Sequence, residues 1–138
     1  MHRQAGFTLV EIAIVLIIIG LMLGGVLKGQ ELINSAKVKS LANDFRQVPL
    51  FLYGYQDKFR KLPGDDVAAV GNVSAPAGHV SNGDGALDGN WNDKANGSEA
   101  VLFWEHVRLA NLAAGSTDFG SATDNTASLP TNGEGGRI

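Results

Sequence analysis

This 138-residue chain lacks cysteine, and it has few cationic side chains after residue 61. Without cysteine it has no disulfide bond, thiolate metal ligand or thiol nucleophile. Residues 1–61 hold 8 Lys and Arg against 4 Asp and Glu, whereas residues 62–138 hold 3 against 10. Because a nucleic-acid backbone is bound by clustered cations, the acidic distal part argues against a nucleic-acid partner.

The sequence also lacks recognisable catalytic motifs. It contains no G-x-S-x-G, P-loop or H-E-x-x-H pattern. His79 and His106 are 27 residues apart, which is not a metal-ligand spacing. Asp65 and Asp66 follow Pro-Gly and are interpreted as turn residues rather than as an acid/base pair. We therefore expect a protein that is not an enzyme.

One long apolar run dominates the N-terminal part. Residues 7–27 read FTLVEIAIVLIIIGLMLGGVL, 21 residues with one charge, and as a helix they would span about 31 Å, one bilayer core. The run is too long for an ordinary secretory signal peptide, and no A-x-A-like cleavage site follows it. Since Arg3 precedes the run, residues 1–6 are predicted to be cytoplasmic and the chain after Lys28 to lie across the membrane.

Glu11 is an ionisable residue inside this run, where a charge costs about 2.5 to 3.5 kcal/mol at the bilayer centre. It is therefore a candidate functional residue, although near the interface it could also snorkel or interact with the helix dipole. The string Gly6-Phe7-Thr8-Leu9-Val10-Glu11 stands between a short basic leader and the apolar run. It closely resembles the prepilin signature of type IV pilins and type II secretion pseudopilins.

The resemblance implies a processing site and an assembly site. A prepilin peptidase would cleave between Gly6 and Phe7 and methylate the new amine of Phe7. Glu11 would then meet the N-terminal amine of a neighbouring subunit, so that both buried charges are paired. Phe7 and Glu11 are four residues apart and could instead pair on one face of the same helix. The implied partners are identical or other pilin-like subunits, the peptidase, membrane lipid, and an inner-membrane platform with a separate ATPase motor.

Glycines in the apolar run are candidates for helix contact. Gly20 with Gly24, and Gly25 with Gly29, form small-xxx-small spacings that allow close approach of a second helix. Filaments of the resembling family often have a locally unwound segment, which we place at residues 20–29. The alternative is that membrane helices simply tolerate glycine.

After Lys28 the apolar residues recur at helical spacing and predict an amphipathic helix through residue 62. The stripe consists of Val38, Leu41, Phe45, Val48, Leu52, Tyr55 and Phe59. Pro49 predicts a kink, and two helices with a short break are an alternative. The turn sequence that begins at Leu62 and Pro63 ends the predicted spine helix.

The sequence predicts four segments, and the resemblance names their class. These are a leader (1–6), the membrane half of a spine helix (7–27), its amphipathic half (28–62) and a globular domain (63–138). In that domain we expect a Gly/Asn/Asp-rich loop over 64–97, a helix over about 98–114 with burial on several sides, and weak strands or coil over 115–138. The predicted fold is α+β and pilin-like, with at most a minimal antiparallel sheet.

The loop at residues 82–93 alternates oxygen-bearing side chains with glycine, as calcium loops do. It does not fit the EF-hand pattern, because Val80 and Trp91 would occupy positions that require carboxylates. An irregular calcium site is one interpretation, and ordinary turns in a polar loop are the other. The candidate ligands are Asp84, Asp88, Asn90, Asn92 and Asp93.

These patterns predict a structural subunit of a type IV pilus-like filament or a type II secretion pseudopilus. It would first span the bacterial inner membrane once, with its C-terminal domain in the periplasm. It would then enter an extracellular filament or a periplasm-spanning pseudopilus. The alternative function is a membrane-tethered binding domain that does not polymerise, with calcium as a candidate ligand.

Overall fold

The computed structural model describes residues 6–138, and these residues form three helices joined by loops. Helix α1 spans Leu9–Phe59, α2 spans Ala69–Val73 and α3 spans Glu99–Leu109. The chain divides into two compact units, Met1–Lys39 and Ser40–Ile138.

The first unit contains the apolar part of α1. No residue in the most apolar window of this helix is buried. Within the described part of the chain, α1 alone is long and apolar enough to cross a membrane, as predicted. Residues 20–29 are helical in this single chain, so the unwound segment predicted for a filament is not present here.

In the second unit, α1 runs through Pro49 to Phe59 without interruption, and the two-helix alternative is wrong. Proline removes one backbone donor, but the hydrogen bonds on either side of it keep the helix continuous. The amphipathic stripe is buried most strongly at Tyr55, whose side chain is fully enclosed. Phe45, at the other end of this stretch, remains 65% exposed.

Helix α3 is the centre of the second unit and is buried on almost every side, as its broad apolar surface predicted. One face packs in a cluster with Phe119 and the half-buried Phe51 and Leu52. Trp104 meets the ring of Phe51 edge-on, with centroids 6.3 Å apart. A second cluster joins α1 and α2 around Tyr55.

Helix α3 ends at Leu109, before the predicted end near residue 114. Asn111 adopts φ of +59°, and the amide of Leu112 donates to the carbonyl of Val107 at 2.9 Å. This is the Schellman arrangement that closes helices, with asparagine in the left-handed position that glycine usually takes. The prediction used Gly115 as the stop and overlooked Asn111.

No strand is assigned anywhere in residues 6–138, and the α+β class is not confirmed. Thr131 and Arg137 form an isolated antiparallel bridge. Between them, the side-chain oxygen of Asn132 accepts the amides of Glu134 and Gly136 at 3.0 and 2.9 Å. Such local side-chain bonds to the backbone compete with strand pairing. The predicted loop 64–97 also contains the short helix α2.

Gly64 permits the close approach of the turn after α1 to α3, and its replacement tests that contact. Its φ is +88°, and a Cβ there would lie 2.6 Å from the carbonyl oxygen of Glu99. We expect Gly64→Ala to lower the free energy of unfolding by about 1 to 3 kcal/mol. Denaturant unfolding of the full chain in detergent, followed by the fluorescence of the buried Trp104, measures the change.

Gly71→Ala is the matched control, because a Cβ at Gly71 has no neighbour within 4 Å and the residue lies in α2. It should leave the stability unchanged or raise it slightly, since alanine favours helix. Equal losses for both variants would contradict the proposed role of Gly64.

Candidate functional site

The first turn of α1 contains the residues predicted for processing and assembly, and its geometry is set by a capping box. The hydroxyl oxygen of Thr8 accepts the amide N–H of Glu11 at 3.2 Å. In return, Oε2 of Glu11 accepts the amide N–H of Thr8 at 2.9 Å. These reciprocal bonds satisfy helix donors that otherwise have no partner. The sequence analysis assigned Thr8 no role, although the spacing Thr-x-x-Glu is typical of such a box.

Glu11 is exposed, and its two contacts with Thr8 use the same oxygen. The hydroxyl of Thr8 also donates to Oε2, at 2.9 Å. Within residues 6–138, Oε1 of Glu11 accepts no hydrogen bond. The carboxylate that stabilises the helix start therefore retains an open oxygen for a cation from outside the chain.

The predicted cleavage site lies just before this helix start. Gly6 and Phe7 are outside the helix and exposed, and the side chain of Phe7 is 83% exposed. The structure therefore places both residues on accessible, non-helical chain. It shows Glu11 bonded to Thr8, while the predicted pair between Glu11 and an amine at Phe7 stays a prediction.

The glycines predicted for helix contact have open surroundings. A Cβ built on Gly20 or Gly24 has no neighbour within 4 Å in the described chain. Nothing in this subunit therefore requires glycine at either position for steric reasons. Their contribution to contact between subunits stays a prediction.

The turn after α1 holds two buried carboxylates. Asp65, 3% exposed, accepts the amides of Gly83 and Gly85 at 2.6 and 2.7 Å and the hydroxyl of Ser81 at 3.0 Å. Burial alone would raise the pKa of Asp65, but these donors stabilise the charged form and lower the pKa overall. Asp65 therefore anchors the loop at residues 81–85 and has a structural function.

Asp66 links α1 to α2 in the same way. Its carboxylate accepts the hydroxyl of Tyr55 and the side-chain amide of Asn72, each at 2.8 Å. Burial is the main cause of the raised pKa of Tyr55, and the bond to Asp66 adds to it. Both aspartates thus bind groups of their own domain, in agreement with the turn interpretation.

Two histidines predicted to be unrelated lie in one buried cluster beside this turn. His79 Nδ1 lies 2.9 Å from the carboxylate of Glu105. His106 accepts the amide of Gly64 at Nδ1, 2.9 Å away, and its Nε2 lies 3.2 Å from the carbonyl oxygen of His79. With one nitrogen accepting and the other donating, His106 is held as a neutral imidazole. Sequence spacing could not show this cluster, because folding brings together residues from two distant segments.

The loop predicted to bind calcium directs its carboxylates at neighbouring donors. Oδ2 of Asp93 accepts the amide of Asn90 and the hydroxyl of Ser98, each at 2.8 Å. Oδ1 of Asp84 accepts the amide of Ala86 at 2.9 Å. In the described part of the chain, no three Asp, Glu or His side chains are grouped closely enough to hold a metal ion. The predicted ligands do not fit a calcium site in this arrangement, and calcium binding stays a prediction.

The neutral His106 predicts that acid destabilises the domain. Its imidazole is fully buried, and burial lowers its pKa below the ordinary value of 6.5. The unfolded chain therefore takes up this proton first, and the stability contributed above pH 6.5 is lost as the pH falls through the folded-state pKa. Burial also raises the pKa of Glu105 above 4.5. That contribution is present below pH 4.5 and is lost as the pH rises through the folded-state pKa.

We expect His106→Gln to remove the histidine component, since its amide can accept from Gly64 and donate to the carbonyl of His79. The unfolding free energies of both proteins between pH 7 and pH 5 should differ in slope, with the variant less sensitive to acid. Parallel curves would show that His106 does not cause the acid sensitivity. The Glu105 contribution is common to both proteins and cancels in the comparison.

Comparison with known proteins gives one match, at the N-terminus. Residues 1–27 match the family model described as the prokaryotic N-terminal methylation motif. No curated protein and no solved structure matches the chain. The matched segment includes the predicted cleavage site and Glu11, and residues 28–138 lie outside it. Residues 1–27 therefore carry the N-terminal methylation motif, which is the prepilin signal of type IV pilins and pseudopilins.

Proposed function

We propose that this protein is a structural subunit of a type IV pilus-like filament or a type II secretion pseudopilus. The observation that carries the proposal is the methylation motif in residues 1–27, followed directly by an exposed apolar helix. An apolar surface of this length must be covered by lipid or by other apolar helices. A subunit that leaves the membrane for a filament exchanges the first environment for the second.

Processing would take place at the bond between Gly6 and Phe7. Both residues are exposed and precede the first helical residue, Leu9, so a peptidase can bind this chain without unwinding α1. Cleavage removes Arg3 with the leader and creates an amine at Phe7, which the same enzyme would methylate. The apolar part of α1 is retained as the anchor.

The retained Glu11 would then select the register of assembly. A carboxylate among apolar helices is costly unless a cation compensates it. Oε2 is held by Thr8, and the open Oε1 can accept the Phe7 amine of a neighbouring subunit. The capping box would fix the direction of the carboxylate before the neighbour arrives. A register that left Glu11 unpaired would be strongly disfavoured.

The surroundings follow from this role. The subunit would begin as a single-pass inner-membrane protein, with the domain after Lys28 on the periplasmic side. Its partners would be a prepilin peptidase, further pilin-like subunits and an assembly platform driven by a separate ATPase. The resulting fibre would be extracellular, or it would span the periplasm in a secretion system.

Mass spectrometry of the N-terminal peptide from the native membrane tests processing. We expect the mature chain to begin at Phe7 and to carry one additional methyl group. A chain that keeps Met1 in cells with an active prepilin peptidase, or one cut after Leu27, would contradict the proposal.

Glu11→Ala tests assembly separately from processing. We expect normal cleavage at Phe7 but filament yield reduced by at least tenfold, because the neighbour's amine loses its partner. Glu31→Ala is the matched control: Glu31 is an exposed glutamate of the same helix, 2.7 Å from Lys28. It should leave assembly unchanged, since exposed pairs contribute little. Equal filament yields for wild type and Glu11→Ala would favour the alternative, a tethered binding domain that does not polymerise.

For that alternative, calcium is the candidate ligand, and the acidic sequence of residues 82–93 is its only support. Calorimetric titration of the full chain with calcium chloride tests it, with Asp88→Asn as the comparison. If calcium binds at this loop, the wild-type chain should release or absorb heat saturably, and Asp88→Asn should weaken binding. Absence of saturable heat would exclude a calcium-dependent function for this loop.

A further inference from the structure

The side chain of Trp91 is unusually open to solvent. It is 89% exposed, although the other tryptophan of the domain, Trp104, is 91% buried by the same measure, with 9% exposed. Tryptophan combines a large apolar surface with one hydrogen-bond donor, and it is among the residues that most often dominate protein interfaces. Trp91 lies outside the segment that carries the methylation motif, so its exposure calls for a separate explanation.

A groove of about 470 Å³ runs between α1 and α3 on the same domain. Its walls are almost entirely apolar, and its residues are Phe45, Val48, Pro49, Leu52, Leu87, Ala100, Phe103, Trp104 and Ile138. A neighbouring cavity of about 320 Å³ shares Phe45, Ala100, Trp104 and Ile138 with the groove and has Trp91 on its wall. The exposed indole and the groove are therefore adjacent on one face of the domain.

The groove also contains a polar group that suits an indole. Pro49 lies inside α1 and has no N–H, so the carbonyl of Phe45, four residues earlier, lacks its usual helical donor. Both residues line the groove. An indole N–H that enters beside Phe45 can supply the missing donor.

Charges beside the two features are complementary. The loop that carries Trp91, residues 82–93, contains Asp84, Asp88 and Asp93 and no cation. Arg46 follows Phe45 directly on α1 and is exposed. A second copy that inserts its indole beside Phe45 brings its acidic loop towards this arginine.

We propose that Trp91 of one copy binds in the groove of a second copy, whose own Trp91 fills the groove of the first. Because the indole and the groove lie side by side on one face, a two-fold axis can exchange both at once. Such a pair closes on itself, whereas a growing filament needs contacts that do not close. The contact is therefore an addition to the proposed assembly function and does not depend on it.

The expected contact is small. An indole buries about 150 to 250 Å², so two indoles and the two grooves that receive them bury less than a stable interface of standard size. The pair should accordingly be weak in dilute solution. Anchoring of both copies in one membrane raises their effective concentration and favours it.

Disulfide crosslinking in membranes tests the proposal, because the chain has no cysteine of its own. Two differently tagged full-length chains are co-expressed in cells without a pilus assembly system. One carries Asn92→Cys, next to the indole, and the other carries Ala42→Cys, one helical turn from Phe45. We expect oxidation to yield the mixed dimer. Ala77→Cys is the control for Ala42→Cys, since Ala77 is exposed and lines neither cavity; it should yield little dimer.

Trp91→Ala in the Asn92→Cys chain should reduce the mixed dimer at least tenfold, and Trp91→Phe should give an intermediate yield because it keeps the ring but loses the N–H. The exposure of Trp91 makes a folding defect an unsuitable explanation for either result. Sedimentation of the wild-type chain in detergent should show no Trp91-dependent species larger than two chains. An equal crosslink yield with Trp91→Ala, equal crosslinking through Ala77→Cys, or Trp91-dependent larger species would overturn the proposal.

Discussion

The hydrogen bonds of the turn at residues 63–66 hold together the domain that follows α1. Gly64 donates its amide to His106 of α3, Asp65 binds the loop at residues 81–85, and Asp66 binds Tyr55 of α1. Three segments without regular pairing between them are thus fixed to one short stretch of chain. Because these groups are buried, leaving any of them unpaired would cost about 1 to 3 kcal/mol, so the arrangement is well determined.

A domain without a sheet in its described residues needs such side-chain bonds, and α3 provides the others. The guanidinium of Arg108 donates to the carbonyls of Ser116 and Ser128 and lies over the ring of Phe119, 5.5 Å from its centroid. The segment after α3 contains few residues that favour strands, but these contacts hold it against the core. Polar bonds to a buried helix perform here the ordering that strand pairing performs in other small domains.

The N-terminal part could be predicted in more detail than the rest. The methylation motif, the apolar helix and the candidate assembly residue Glu11 all follow from local patterns, since a membrane segment is defined by length and hydropathy alone. The capping role of Thr8 was also visible in the spacing but was not identified. In the distal half, the end of α3 was misplaced because Asn111, rather than glycine, adopts the left-handed conformation. The α+β class was not confirmed, since local Asn and Asp bonds to the backbone prevail over strand pairing.

The sequence by itself determined where the chain can be processed, which segment can enter a membrane and which residues form helices, because these properties depend on neighbours along the chain. Only the tertiary structure decided that His79 and His106 meet near Glu105, that Asp65 and Asp66 are buried anchors, and that Trp91 stays exposed beside an apolar groove. Burial and pairing of this kind depend on segments that are distant in sequence. Their free energy comes from desolvation and hydrogen bonds formed when those segments pack together.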